Sequence, residues 1–163
     1  MSTTSATVRY LPAGTGRAFS IVGDSVTFKG EPEQTGDALL LFEHMLPATL
    51  GVPPHRERNH EAFYVLEGTL EVVVQGESYR LGPGDYLGIP PGVEHLLHNP
   101  GPGPVRVLTL VSPGSQHARF FSTIGRSIDD PSNPPPLEGP PDIERLLTVG
   151  RECGIEFLPP PQG

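Results

Sequence analysis

The sequence predicts an all-β protein, a sandwich or barrel of short antiparallel strands with a short helical extension at its C-terminal end. Three observations predict it. Glycine and proline are abundant, at 20 and 21 of 163 residues. Between them stand short runs rich in Val, Leu, Phe and Tyr. Turn chemistry recurs at near-regular spacing: Glu67-Gly68, Gln75-Gly76, Gly82-Pro83-Gly84-Asp85, Pro90-Pro91-Gly92, and the run from Pro100 to Pro104. A helix bundle would not tolerate that punctuation.

Taken in order, residues 1–16 read as a flexible, polar N-terminal segment. Two short strands follow between Arg17 and Gly30, around a Gly23-Asp24 turn. Residues 31–36 read as a loop. Residues 37–45 form an apolar run that the β-rich neighbourhood assigns to a strand. Strands are then expected over 54–57, 61–67, 69–75, 77–81, 86–89, 94–99 and 105–111. The character changes after Ser112. Phe120, Phe121 and Ile124 fall at helical spacing within 115–124. Residues 129–141 are Pro-rich without periodicity and read as an extended surface segment. A helix is expected over 142–153, started at Pro141 and Asp142, carrying Ile143, Leu146, Leu147 and Gly150 on one packing face, and stopped by Gly154. Residues 155–158 read as an edge strand. The organisation is therefore a barrel over 17–112 and a packed C-terminal segment over 113–163.

The formal net charge is −8. An acidic surface disfavours nucleic acid and anionic membrane as partners. The one cysteine, Cys153, rules out an intramolecular disulfide and a Cys-based metal cluster, and reads as a buried small hydrophobe in a reducing compartment. Residues 1–14 lack the pattern of a secretory signal, and no apolar run is long enough to span a bilayer. The expected location is the cytoplasm.

Two stretches carry chemistry. From Gly84 to Asn99 the chain reads GDYLGIPPGVEHLLHN, and from Leu50 to Gly68 it reads LGVPPHRERNHEAFYVLEG. Side chains alternate across a strand, so His55 and Glu57 share a face, and Glu61, Phe63 and Val65 share the inward face of the next strand. His55, Glu57, Glu61 and His95 can then converge. Two imidazoles and two carboxylates suit a divalent first-row metal: Fe, Mn, Ni, Co or Zn. His60 competes with Glu57 for one place if a bulge turns it inward; Glu57 has the better spacing from His55. His98 has the wrong parity relative to His95. His44, Phe63 and Leu97 are candidates for lining a substrate pocket. His117, in the tail, reads as a surface residue.

These stretches resemble the two conserved motifs of the cupin family, a jelly-roll barrel also described as a double-stranded β-helix. Residues 84–99 fit G-x5-P-x-G-x2-H-x3-N at every fixed position. Residues 49–68 fit G-x5-H-x-H-x3-4-E-x6-G at His55, Glu61 and Gly68, with two departures: Thr49 stands for the first glycine, and Glu57 for the second histidine. The string HEAFYVLEG and the tail, with PDIERLL and GIEFLPPP, resemble quercetin-dioxygenase-like bacterial single-domain cupins. The resemblance implies His55, Glu61 and His95 as metal ligands, with Glu57 in the exchanged place and Glu61 doubling as acid–base group. It implies a quercetinase-like dioxygenase acting on a small aromatic or enolic substrate, with dioxygen as a partner. Two carboxylates also suit a non-oxidative cyclase or isomerase of polyketide or flavonoid-like biosynthesis, and the same barrel serves as a non-catalytic small-molecule binder. The acidic site favours neutral polyphenols or polyketides. Such cupins often dimerise through edge strands, so a homodimer is expected, with the strands in 17–30 as its edges.

Overall fold

A computed structural model describes residues 7–159 of the chain. Residues 1–6 of the N-terminal segment and 160–163 of the tail lie outside the described residues. Twelve strands and three helices follow in the order β1 (Ala18–Ser20), β2 (Ser25–Gly30), α1 (Pro32–Thr35), β3 (Leu40–Leu46), β4 (Gly51–Glu57), β5 (His60–Glu67), β6 (Leu70–Val74), β7 (Glu77–Leu81), β8 (Tyr86–Ile89), β9 (His95–His98), β10 (Val105–Ser112), α2 (Ser115–Ile124), β11 (Arg126–Ser127), α3 (Ile143–Glu152) and β12 (Ile155–Phe157).

The strands form two antiparallel sheets. The larger runs β11-β1-β2-β3-β10-β5-β8 and the smaller β12-β4-β9-β6-β7. Strict alternation puts one face of β3 and of β10 in the interior: Leu40, Phe42, His44 and Leu46 on β3, and Val105, Val107, Thr109 and Val111 on β10, are all buried. Between the sheets, Phe63, Val65, Leu70, Val72, Leu97, Val105 and Val107 form the main core. Burying each such side chain contributes about 1.5–3 kcal/mol before entropy is subtracted.

Some local expectations change. The loop expected at 31–36 contains one helical turn, α1, because Pro32 opens it and Gly36 closes it in the left-handed region, at φ 61°. The strands expected as free edges at 17–30 are interior ones. β1 pairs with β2 on one side and with the two-residue strand β11 on the other, and β2 continues to β3. The tail thus covers that edge. The helix expected to pack through Ile143, Leu146, Leu147 and Gly150 buries only Gly150 among them; Ile143 is 55% exposed. Among the described residues, no helix is long and apolar enough to cross a membrane.

Two residues of the motifs hold the barrel mouth rather than its chemistry. Asn99 is buried, donating from Nδ2 to the carbonyls of Leu46 and Gly103, both at 2.9 Å, and accepting the Gly101 N–H at 2.8 Å. It ties the end of β9 to the end of β3. Thr49 has φ 72° and is solvent-exposed. A β-branched residue in the left-handed region is strained, which explains why the family motif has glycine there. Gly51, by contrast, lies inside β4, where a Cβ would meet the Leu97 carbonyl oxygen at 2.4 Å. Its lack of a side chain lets β4 approach β9.

Thr49→Gly is expected to stabilise the protein by about 1 kcal/mol, since relief of strain outweighs the added freedom of the unfolded chain. Thermal denaturation should register a rise of about 2–4 °C. A lower midpoint would mean that the threonine makes a compensating interaction.

Candidate metal centre

The site is built where β4 and β9 lie side by side. His55 and His95 are direct cross-strand partners, with ring centroids 4.3 Å apart. The β4–β9 register is interrupted between Val52 and His55, and beyond that irregularity Pro54, His55 and Glu57 are all buried. The opposite sheet contributes Glu61 from β5, where alternation is regular: His60 is exposed and Glu61 buried. With no bulge at that point, His60 stays outside the cluster. One ligand atom from each of His55, Glu57, Glu61 and His95 lies within 4.8 Å of all the others.

The two imidazoles are oriented by the same local device. Nδ1 of His55 is 2.9 Å from the Pro53 carbonyl, and Nδ1 of His95 is 2.9 Å from the Val93 carbonyl. A carbonyl oxygen only accepts, so each Nδ1 carries a proton and each ring turns Nε2, the nitrogen free to take a metal, inward. Carboxylate oxygens stand opposite: His95 Nε2 is 3.2 Å from Glu61 Oε2, and His55 Nε2 is 3.3 Å from Glu57 Oε2. Neither oxygen of Glu57 has a hydrogen-bond partner, although the side chain is buried. Lone pairs facing carboxylate oxygens in a dry interior repel unless a cation or protons lie between them. The donor set therefore fits a divalent metal, held by His55, His95, Glu61 and Glu57.

Without metal, protons do part of that work. Burial and then the adjacent Glu57 charge push the Glu61 carboxyl well above its ordinary pKa. Burial also raises that of Glu57, but the facing Glu61 and His55, with His117, outweigh it and hold the carboxylate well below its ordinary range. Burial, followed by the neighbouring His55, lowers that of His95. The two facing carboxyls are thus shifted in opposite directions.

His117 is not the surface residue its place in the tail suggested. α2 folds back and buries it, with Nε2 3.8 Å from Glu57 Oε2 and Nδ1 without a partner. Burial keeps it neutral, with its pKa lowered to about 4. Helical spacing with Phe120 and Phe121 was the only local hint that this side of α2 faces inward. Arg56 pairs with Glu156 at 2.9 Å rather than with Glu57.

Beside the cluster opens a cavity of about 420 Å³. His55, Glu61 and His117 border it, with walls from Leu46, Leu97, Phe121, Leu146 and Phe157. His44 lines it and is paired to Asp24, Nε2 to Oδ2, at 2.6 Å. Leu97 lines it as expected from its parity. Phe63 does not: it is 1% exposed, lies in the main core, and meets the His95 ring edge-on at 6.2 Å. It supports the site from beneath. Ile143 and Leu147 also border the cavity, so α3 acts as a wall at its rim.

Comparison with known proteins finds likenesses of sequence and of fold. The family described as "Cupin domain" matches residues 41–111. Quercetin 2,3-dioxygenase of Bacillus subtilis (strain 168) is 30% identical over 152 residues, which is 91% of this chain and 44% of that protein. The chain thus spans less than half the length of this curated relative. Among solved structures, an RmlC-like cupin from Shewanella frigidimarina superposes with a TM-score of 0.60 at 20% identity, over 69% of this chain and 96% of that one. The polyketide cyclase RemF from Streptomyces resistomycificus gives 0.58 at 23% identity, over 65% and 80%. Both likenesses concern the fold alone.

Two measurements check the site. Adding Mn, Fe, Co, Ni or Zn as the divalent ion to chelator-treated protein is expected to raise the thermal midpoint, by about 2.7 kcal/mol of stability at a hundredfold excess over Kd. The rise should shrink as pH falls, because Glu61 must release its proton to bind; His55→Ala should abolish it. An equal rise in His55→Ala would place the ion elsewhere. Separately, in metal-free protein the buried neutral His117 contributes stability that is complete above its ordinary pKa of 6.5 and is lost as pH falls toward about 4. His117→Gln should flatten that acid limb in urea titrations; an unchanged limb would show that other groups govern it.

Proposed function

We propose, from the match of residues 41–111 to the cupin domain, that the chain is a metal-dependent enzyme acting on an aromatic or enolic small molecule, as a quercetinase-like dioxygenase. One observation carries the reading: two imidazoles fixed by backbone carbonyls aim their lone pairs at a buried carboxylate pair, at the edge of an apolar cavity. His55, His95, Glu61 and Glu57 would hold the metal. Bound there, it would supply the Lewis acidity that makes a ligand hydroxyl easier to deprotonate.

The chain's own residues do the rest. The walls of the cavity exclude water and present flat apolar surface to a ring. His55 and His95 keep their orientation because their Nδ1 protons are committed to Pro53 and Val93. Glu61 lines the cavity with a carboxyl group and is the base placed to accept a hydroxyl proton once its own is displaced. Glu57 contributes negative charge beside it. A neutral substrate suits that charge better than an anion does. We keep with this reading a cytoplasmic location and a homodimer; the buried free thiol of Cys153 accords with a reducing compartment.

Two buried carboxyl groups in one cluster, shifted in opposite directions, favour a second reading, a non-oxidative cyclase or isomerase using them as base and acid. The two readings separate by product mass. With a flavonol or enolic polyketide, the dioxygenase is expected to consume dioxygen and give a product heavier than its substrate. Glu61→Gln should lower turnover about 100-fold or more, and His95→Ala should abolish it together with metal retention. Turnover under strict anaerobiosis, with product and substrate of equal mass, would select the second reading instead.

A further inference from the structure

The cavity has a second polar pole. His44 reaches it from β3, and along the sheet His44 stands level with Val65, while Glu61 stands level with Leu40. His44 is thus two strands across and four residues along from Glu61, roughly 16 Å between α-carbons. The two residues line the same cavity from separate ends.

The pole is a built one. Asp24 is 7% exposed and its Oδ1 accepts the backbone N–H groups of Ile21 and Val22, at 3.3 and 3.0 Å. That pins the carboxylate in the β1–β2 turn. Its Oδ2 takes the Nε2–H of His44 at 2.6 Å, which fixes the orientation of the ring. Among the described residues, Nδ1 of His44 has no hydrogen-bond partner. The ring therefore presents its second nitrogen within an otherwise apolar stretch of wall made by Ile21, Phe42 and Phe121. A ring nitrogen without a partner on the cavity wall is open to a hydrogen bond with a ligand hydroxyl.

We propose that the Asp24–His44 pair is a ligand anchor that hydrogen-bonds a hydroxyl group at the end of the ligand remote from Glu61. Asp24 is the positioning residue and His44 the contact. The inference rests on the aromatic–enolic reading and deepens it. The ligand class becomes an aromatic molecule with two separated polar groups, an enolic oxygen for the His55–His95 end and a phenolic hydroxyl for His44. A purely structural tie between the β1–β2 turn and β3 would affect stability without telling one ligand from another.

The experiment compares two probes on the full chain as purified, with dioxygen excluded. One is 3-hydroxyflavone, which has the enolic hydroxyl alone; the other is quercetin, which adds phenolic hydroxyls. Binding is read by fluorescence titration. His44→Phe is expected to weaken quercetin about tenfold, the worth of one hydrogen bond to a buried partner, and to leave 3-hydroxyflavone within about twofold. Asp24→Asn is expected to give the same selective loss in smaller measure, and it decides the matter if His44→Phe fails to fold. Equal losses for both probes, or unchanged quercetin binding in a folded variant, would overturn the anchor and leave the aromatic reading standing. Failure of the wild-type chain to bind either probe would overturn the aromatic reading, and the anchor with it.

Discussion

The pairing of β4 with β9 is the constraint on which the rest of the structure depends. It sets His55 opposite His95, and each ring is then turned by a carbonyl two residues earlier on its own chain. Gly51 allows the strands to approach, and the irregularity before His55 sets which side chains go inward. Once two nitrogen lone pairs point at one place, whatever the facing sheet offers there must be a cation, a proton donor or a group that binds one. Glu61 from β5 and Glu57 from β4 meet that requirement in two ways, by sharing a proton or by sharing a metal.

The C-terminal segment turns an open barrel mouth into a cavity. α2 brings His117, Phe120 and Phe121 over the opening, while β12 adds itself to the edge of β4 and sets Phe157 against His55. A separate small core of Phe120, Cys153 and Ile155 fastens these pieces to one another. The tail excludes water from one side of the acidic cluster, and the contact between the two carboxyls, with His55 beside Glu57, moves their pKa values apart. α3 contributes differently, by leaving apolar side chains at the rim rather than by filling a core.

Much of this was legible because it is local. Turn residues marked the strand ends, and period-two alternation placed His55, Glu57 and Glu61 on inward faces while turning His60 outward. The glycine–proline frame of the second motif located His95. The helices at 115–124 and 142–153 were legible from their periodicity and, in the second, from the Asp142 cap, whose side chain accepts the Arg145 N–H at 3.0 Å. The edge role of β1 was misread, since the pairing that covers it comes from Arg126 and Ser127, more than a hundred residues away in sequence and too few to show any pattern.

The sequence by itself determined the all-β class, the succession of strands along the chain and the four residues of the metal-site candidate, because side-chain parity and turn chemistry act over a few residues. Only the tertiary structure decided which side chains surround those four. His117 enters through the path of α2. Phe63 drops below the cavity because it lies deeper along β5 than Glu61. Asp24 and His44 meet across two strands at 2.6 Å, although neither stands in a motif. Such contacts are set by where distant segments pack, and no local pattern of polarity encodes that.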